Sequence, residues 1–322
     1  MFVGHALLAF SLVAGAAGAA GTGRRRALTL GVAAGAFAAV PDVDIAYALV
    51  GVAGAGTAPP LAMAHAFWST GNAVHRTVTH SVLVALPAAV AAAAWGAGVG
   101  GRRGGRAVAL VVVLALVALV AAVSGVPAAA VTVLFGGALL GVATLVVRRG
   151  GLEPRAVLVT ALVGLVSHPF GDLFTGTPPA FLYPLSVTLV PARIALAADP
   201  TLDLLAAFGM ELATAWLAVL VVAWLSDVRV RPSPRATVGI GYAAVLPVLP
   251  APTLDLSYPF VFGALAVGLL ALLPAVVGAW DDDATRAVAP LAPRAARALL
   301  TALTAVTFAW AAYAAAYAAL AM

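Results

Sequence analysis

The sequence predicts an all-α, polytopic transmembrane helix bundle of about ten spans plus one re-entrant segment, and three observations predict it. Of 322 residues, 64% are hydrophobic and only 9% charged, where a soluble domain carries about 25% charged residues. Apolar runs of membrane-spanning length recur along the chain, separated by short polar breaks. All 17 basic residues are arginines, and all but Arg76 and Arg193 cluster in those breaks.

The first run, residues 3–22, precedes Arg24, Arg25 and Arg26. A secretory signal carries its positive charges before the apolar stretch, so this run reads as a retained span that enters with its N-terminus away from the cytoplasm. Further spans are predicted near 27–50, 81–99, 107–123, 126–147, 156–172, 205–226, 236–252, 259–280 and 295–320. Residues 180–197 are apolar but interrupted by Pro184, Pro191 and Arg193, which fits a re-entrant or interfacial segment better than a crossing. Neither an internal repeat nor a polar stretch long enough to fold alone is present. Residues 1–200 form a membrane domain holding every candidate site residue, and 201–322 are transmembrane helices to which no role is assigned.

Arginine clusters follow the first, third, fifth, seventh and ninth runs: Arg24–Arg26, then Arg102, Arg103 and Arg106, then Arg148, Arg149 and Arg155, then Arg229, Arg231 and Arg235, then Arg286, Arg294 and Arg297. With ten spans they all fall on one side, which the positive-inside bias makes the cytoplasm of an inner or plasma membrane. The net charge of +5 therefore reports topology. No basic run is interleaved with aromatics, so nucleic acid is not an expected partner. The chain has no cysteine, which excludes disulfides, thiolate catalysis and cysteine-ligated metals.

Against this background four polar islands stand out: His5; Pro41-Asp42-Val43-Asp44; His75-Arg76-Thr77-Val78-Thr79-His80-Ser81; and His168-Pro169-Phe170-Gly171-Asp172. Ionisable groups in apolar surroundings are costly unless paired, hydrated or bound to a metal. On the span map all four islands fall on the face opposite the arginines, which points to one shared site near the extracytoplasmic surface.

Imidazole and carboxylate together suit borderline divalent ions such as Zn²⁺ or Mn²⁺. Seven candidate ligands are present: His5, Asp42, Asp44, His75, His80, His168 and Asp172. One tetrahedral ion takes three or four, so the set admits one or two ions, and a pair of ions clamps the oxygens of phosphoryl transfer. His168 and Asp172 share a helix face at i,i+4 spacing unless Pro169 ends the span at that point. Asp42 and Asp44, freed from helix by Pro41, can face one ion as alternate residues of a loop, or can simply cap a turn. Thr79 or Ser81 is a natural N-cap for the third span. Arg76 is either a headgroup anchor or a guanidinium poised for a phosphate oxygen. His65 lies in a predicted outer loop with interfacial aromatics, Glu211 lies inside the seventh run, and Asp281–Asp283 form a solvated acidic turn; none of these is assigned to the site.

The order of these islands, continued by Leu173-Phe174-Thr175 and Leu182-Tyr183-Pro184, resembles the YdjM-like membrane-bound metal-dependent hydrolases over roughly residues 1–185. That family is thought related to the all-helical zinc-dependent phospholipase C and single-strand-specific nucleases. The resemblance implies metal binding by Asp42, Asp44, His75, His80, His168 and Asp172, with His5 as the N-terminal ligand. The trinuclear soluble relatives use more ligands, including a further glutamate, so one or two ions are expected here.

The expected function is metal-dependent hydrolysis of a phosphoester in a lipid or lipid-linked substrate, as a phosphodiesterase or phospholipase-like enzyme. Asp42 or Asp44 would be the general base, and Arg76 would stabilise charge. The alternative is a metal-ion transporter or binding protein using the same cluster. A transporter places its ligands near the bilayer midplane, between repeats.

Overall fold

Runs of Ala, Val and Leu that must satisfy every backbone N–H and C=O without water can do so only as helix or closed barrel. The structure, a computed structural model, describes residues 2–226, 231, 233–272 and 291–321, and these contain helices and no strand. They fall into two units, one of residues 1–194 with 214–226, the other of 195–213 with 227–322.

The first unit is built on α1 (Phe2–Ala19), α2 (Arg24–Ala38), α5 (Val82–Val99), α6 (Gly105–Gly150) and α7 (Pro154–Gly171). Two shorter helices, α3 (Ala48–Ala55) and α4 (Pro60–Asn72), pack together between α2 and α5. Its core runs through Phe37, Val78, Val120, Phe135, Leu139, Val157 and Leu165. With no hydrophobic drive between helices in lipid, small residues set how closely they approach. Gly164 brings α7 onto the end of α2, where an added Cβ would stand 2.5 Å from the Ala34 carbonyl oxygen.

Helix α6 folds back on itself at Gly125, whose φ of 80° and ψ of −175° leave the helical region. A Cβ on Gly136 would stand 2.7 Å from Val113 Cγ1, whereas a straight helix would hold those residues about 34 Å apart. Its two arms, 105–124 and 126–150, correspond to the separate spans expected at 107–123 and 126–147.

Among the described residues six helices are long and apolar enough to cross a membrane: Arg24–Ala55, Val82–Val99, Gly105–Gly150, Pro154–Phe174, Pro200–Ser226 and Ala295–Leu320. The expected ten spans are not confirmed among the described residues. The segment expected to span at 236–252 is instead a 3₁₀ helix, Pro234–Val245, whose three-residue period puts Ala236, Gly239 and Tyr242 on one buried face. The apolar helix Tyr258–Leu270 is too short to cross alone; residues 273–280 of its expected span, with Asp281–Asp283 and Arg286, lie outside the described residues, as does Arg229. His65, expected in a loop, lies in α4 and is exposed. Between Phe174 and Pro200 there is no regular helix, in keeping with the prolines of 180–197.

In the second unit α8 (Pro200–Ser226, residues to 213), α9 (Tyr258–Leu270) and α10 (Leu291–Ala321) pack around Leu205, Tyr242, Phe260 and Tyr313.

A candidate metal centre

The polar islands of the first unit converge. Helix α2 ends at Ala38, and Pro41, which cannot continue it, opens a 3₁₀ turn from Pro41 to Tyr47. At about 120° per residue, Asp42 and Asp44 point in directions about 120° apart, so the expectation that alternate residues would face one ion does not hold. Helix α7 runs through Pro169 to Gly171, with Asp172 opening a 3₁₀ turn that continues it. His168 and Asp172 accordingly share a face, with Nε2 and Oδ2 3.7 Å apart. Ser81 proves to be the cap of α5, accepting from the Val84 N–H, while Thr79 turns inward.

Hydrogen-bond direction fixes the histidine tautomers. Thr79 donates its single hydroxyl proton to Asp44 Oδ2 at 2.7 Å. Its oxygen, 2.8 Å from His80 Nδ1, must then accept, so His80 carries its proton on Nδ1. His168 Nδ1 lies 2.7 Å from the Ala38 carbonyl oxygen, which can only accept, so His168 is also protonated on Nδ1. That carbonyl belongs to the last turn of α2, where carbonyls lack helical partners. Gly164, one turn before His168, permits the approach.

In the neutral rings both Nε2 atoms therefore present lone pairs, and they face each other at 3.0 Å. Two carboxylate oxygens join them. Asp172 Oδ2 is 3.1 Å from His80 Nε2, and Asp42 Oδ1 is 3.5 Å from His168 Nε2 and 3.8 Å from that of His80. Four atoms that can act as acceptors thus cluster here, each facing at least two of the others. Five of their separations, 3.0–3.8 Å, lie around the ~3.3 Å ligand–ligand distance of a zinc site with bonds of about 2.0–2.1 Å. Asp42 Oδ2 and Asp172 Oδ2 are buried with no hydrogen-bond partner. Burial holds the His80 imidazole below its ordinary pKa, favouring the neutral ring that ligates metals. Residues of this cluster form three overlapping groups that could hold a metal ion: Asp42, His80 and His168; His5, His168 and Asp172; and Asp44, His75 and His80.

The other site residues brace this quartet. Asp44, fully buried, has both oxygens engaged, by Thr79 and by His75 Nδ1 at 2.8 Å. His75 sits at the rim, edge-on to His80 with ring centroids 4.9 Å apart. His5 Nε2 lies 3.3 Å from Asp172 Oδ1, and its ring packs on His168 with centroids 4.0 Å apart. Gly171 leaves room for that ring, since a Cβ there would come 2.5 Å from His5 Cε1.

Arg76 has a left-handed backbone (φ 64°). Its guanidinium donates to the carbonyls of Asp172, Thr175 and Thr177, to the Thr175 hydroxyl, and to Asp172 Oδ1 at 3.1 Å. The donors expected to meet a phosphate are directed at the protein's own loop. The segment 180–183 is tied to the same region by Ala180 N–H to the Arg76 carbonyl and by Ser81 Oγ to the Tyr183 carbonyl. At the far end of α2 and α7, Arg26 reaches the Gly151 carbonyl at 3.4 Å and Glu153 at 3.9 Å, so site and arginines occupy opposite ends of the same helices.

Thr79, the Ala38 carbonyl, Gly164 and Gly171 complete the site and were not among the predicted residues. Thr79 had a signal, a hydroxyl beside a buried histidine; a backbone carbonyl has none.

A comparison with curated proteins and one with solved structures give no match. The family model described as YdjM inner membrane protein matches residues 1–236, a span that contains every residue of the quartet and its braces. The chain is a membrane protein with a His/Asp cluster that could hold a metal ion, and it belongs to the YdjM inner membrane protein family.

Proposed function

We propose that the protein is an integral-membrane metal-dependent hydrolase that cleaves a phosphoester of a lipid or lipid-linked substrate. The observation that carries this reading is the cluster of four candidate acceptors, His80 Nε2, His168 Nε2, Asp42 Oδ1 and Asp172 Oδ2, which in the neutral rings have no proton to share. Such a set is repulsive until a cation joins it. Its close spacing and nitrogen–oxygen mixture suit Zn²⁺, with Mn²⁺ as the other candidate. A divalent ion there supplies Lewis-acid polarisation of a phosphoryl oxygen and makes water acidic near neutral pH.

Asp42, His80, His168 and Asp172 would hold the ion, and Asp44 through Thr79, with the Ala38 carbonyl, keeps both rings in the ligating tautomer. His75, partly buried at the rim and oriented by buried Asp44, is placed to accept a proton from the attacking water, a dyad logic shared with other hydrolases. Asp42, through its partnerless Oδ2, is the second candidate base. Arg76 closes the 172–177 loop over the site. Positive-inside bias puts the arginine end in the cytoplasm and this site on the extracytoplasmic face. Residues 1–200 form the site domain, and 201–322 carry no assigned role. Leu185, Val187 and Leu189, exposed on irregular backbone of the segment tied to the site, suit a lipid headgroup boundary and hence an amphiphilic substrate.

The test is metal content, by elemental analysis, of purified wild type and the Asp42→Ala and His168→Ala variants, beside assays of phosphodiester and phospholipid hydrolysis. Bound metal and metal-dependent hydrolysis, both lost in the variants, are expected. Wild type free of metal at neutral pH removes the reading. Bound metal without hydrolysis, but with metal flux in vesicles, replaces it by transport.

A further inference from the structure

A second feature of the first unit lies at the opposite end of the helices from the metal cluster. Helices α1, α2 and α7 enclose a groove of about 500 Å³, within the 300–1,000 Å³ typical of small-ligand sites. Its walls are apolar, with Leu12, Ala16, Leu30, Val159 and Val163 among them. The one buried hydroxyl on the wall, Thr160, is bonded to its own helix through the Ala156 carbonyl. Arg26, Arg155 and Glu153 stand at the mouth. Arg155 makes no hydrogen bond or ion pair among the described residues, and Arg26 is held only by the long contacts to Gly151 and to a largely exposed Glu153.

From Arg155 to Val163 the groove extends about 12 Å along α7. One leaflet of the hydrocarbon core is about 15 Å thick, half of the roughly 30 Å total. An occupant that fits has an acyl chain one leaflet deep and an anion at the level of the guanidiniums. Two guanidiniums against one carboxylate leave the mouth positive, and guanidinium matches phosphate oxygens in a two-pronged geometry. Arg24 and Arg25, both exposed, add to the same field.

We propose that this groove binds one anionic phospholipid from the arginine-side leaflet, with a chain between α1, α2 and α7 and its phosphate on Arg26 and Arg155. The site is independent of the metal cluster and of the hydrolytic reading.

The experiment is native mass spectrometry of the full chain released from nanodiscs of equimolar dioleoyl phosphatidylglycerol and dioleoyl phosphatidylcholine. Wild type is expected to retain one phosphatidylglycerol in preference to phosphatidylcholine. Arg155→Gln and Arg26→Gln should each lower that preference about fivefold. Val159→Trp, which fills the groove, should lower retention of both lipids. The double variant Arg102→Gln/Arg103→Gln, on the arginine side but away from the groove, should change neither. Equal retention of the two lipids by wild type overturns the proposal. So does a loss in Arg102→Gln/Arg103→Gln as large as that in Arg155→Gln, because the attraction would then belong to the whole basic surface. Unchanged retention in Val159→Trp overturns the placement of the chain. Far-ultraviolet circular dichroism confirms that each variant is folded, and the exposed Arg155 carries the charge test should Arg26→Gln fail to fold.

Discussion

Asp42 and Asp44, two residues apart, do opposite things. Around Asp44 every group is matched: one oxygen takes the Thr79 proton, the other faces His75 Nδ1, and the carboxylate is fully buried. Around Asp42 the inventory does not close. Its Oδ1 faces two imidazole Nε2 atoms and its Oδ2 has no partner. A satisfied carboxylate stiffens its surroundings, whereas an unsatisfied one in low dielectric marks where a cation belongs. On the proposed reading, the contrast makes Asp42 a ligand and Asp44 a brace within a single 3₁₀ turn.

Variants can break that contrast, beginning where the effect is largest. His80→Ala or His168→Ala removes a quartet member, so the bound metal should disappear from protein purified at neutral pH; elemental analysis that finds wild-type stoichiometry would refute the assignment. Arg76→Ala leaves Asp172 Oδ1 and three loop carbonyls without their donor. It should destabilise by about 3 kcal/mol, read as a lower melting midpoint and faster proteolysis near 172–177. Arg76 variants that bind metal and melt like wild type would return the guanidinium to a substrate role.

Thr79→Val keeps the shape but breaks the relay that sets the His80 tautomer. Metal affinity should fall about 10- to 100-fold, with Thr79→Ser restoring most of it in a competitive chelator titration. If Thr79→Val weakens metal no more than Thr79→Ser does, Asp44 acts directly on the ion. Smallest of all is Glu153→Ala, at the far end. It removes a long ion pair with an exposed partner and should change stability by no more than about 0.5 kcal/mol, a shift measurable only by careful thermal melts.

Much of this was legible in the sequence because lipid imposes strong rules. Arginine placement and apolar run lengths located α1, α2, α5, α7 and both arms of α6 before any coordinates, and the four polar islands do meet at the helix ends away from Arg26. The 3₁₀ helix Pro234–Val245 and the helical placement of His65 were not legible. Both segments are apolar and of intermediate length, where hydropathy cannot separate a crossing from a short packed element. The unequal roles of Asp42 and Asp44 were hidden for a different reason. Loop and 3₁₀ geometries rotate successive side chains by different angles, and a proline only says that the α-helix stops.

Composition alone determined that the chain lives in a membrane, because burying so few charges among so many apolar residues leaves no other solvent. It also determined that any metal would meet imidazole and carboxylate, since no thiol exists. Only the tertiary structure decided which atoms face one another. A tautomer depends on a carbonyl 130 residues away, Ala38 against His168, and that contact exists because a glycine lets two backbones touch. Hydrogen-bond direction is a property of three-dimensional neighbours, and no spacing along a chain encodes it.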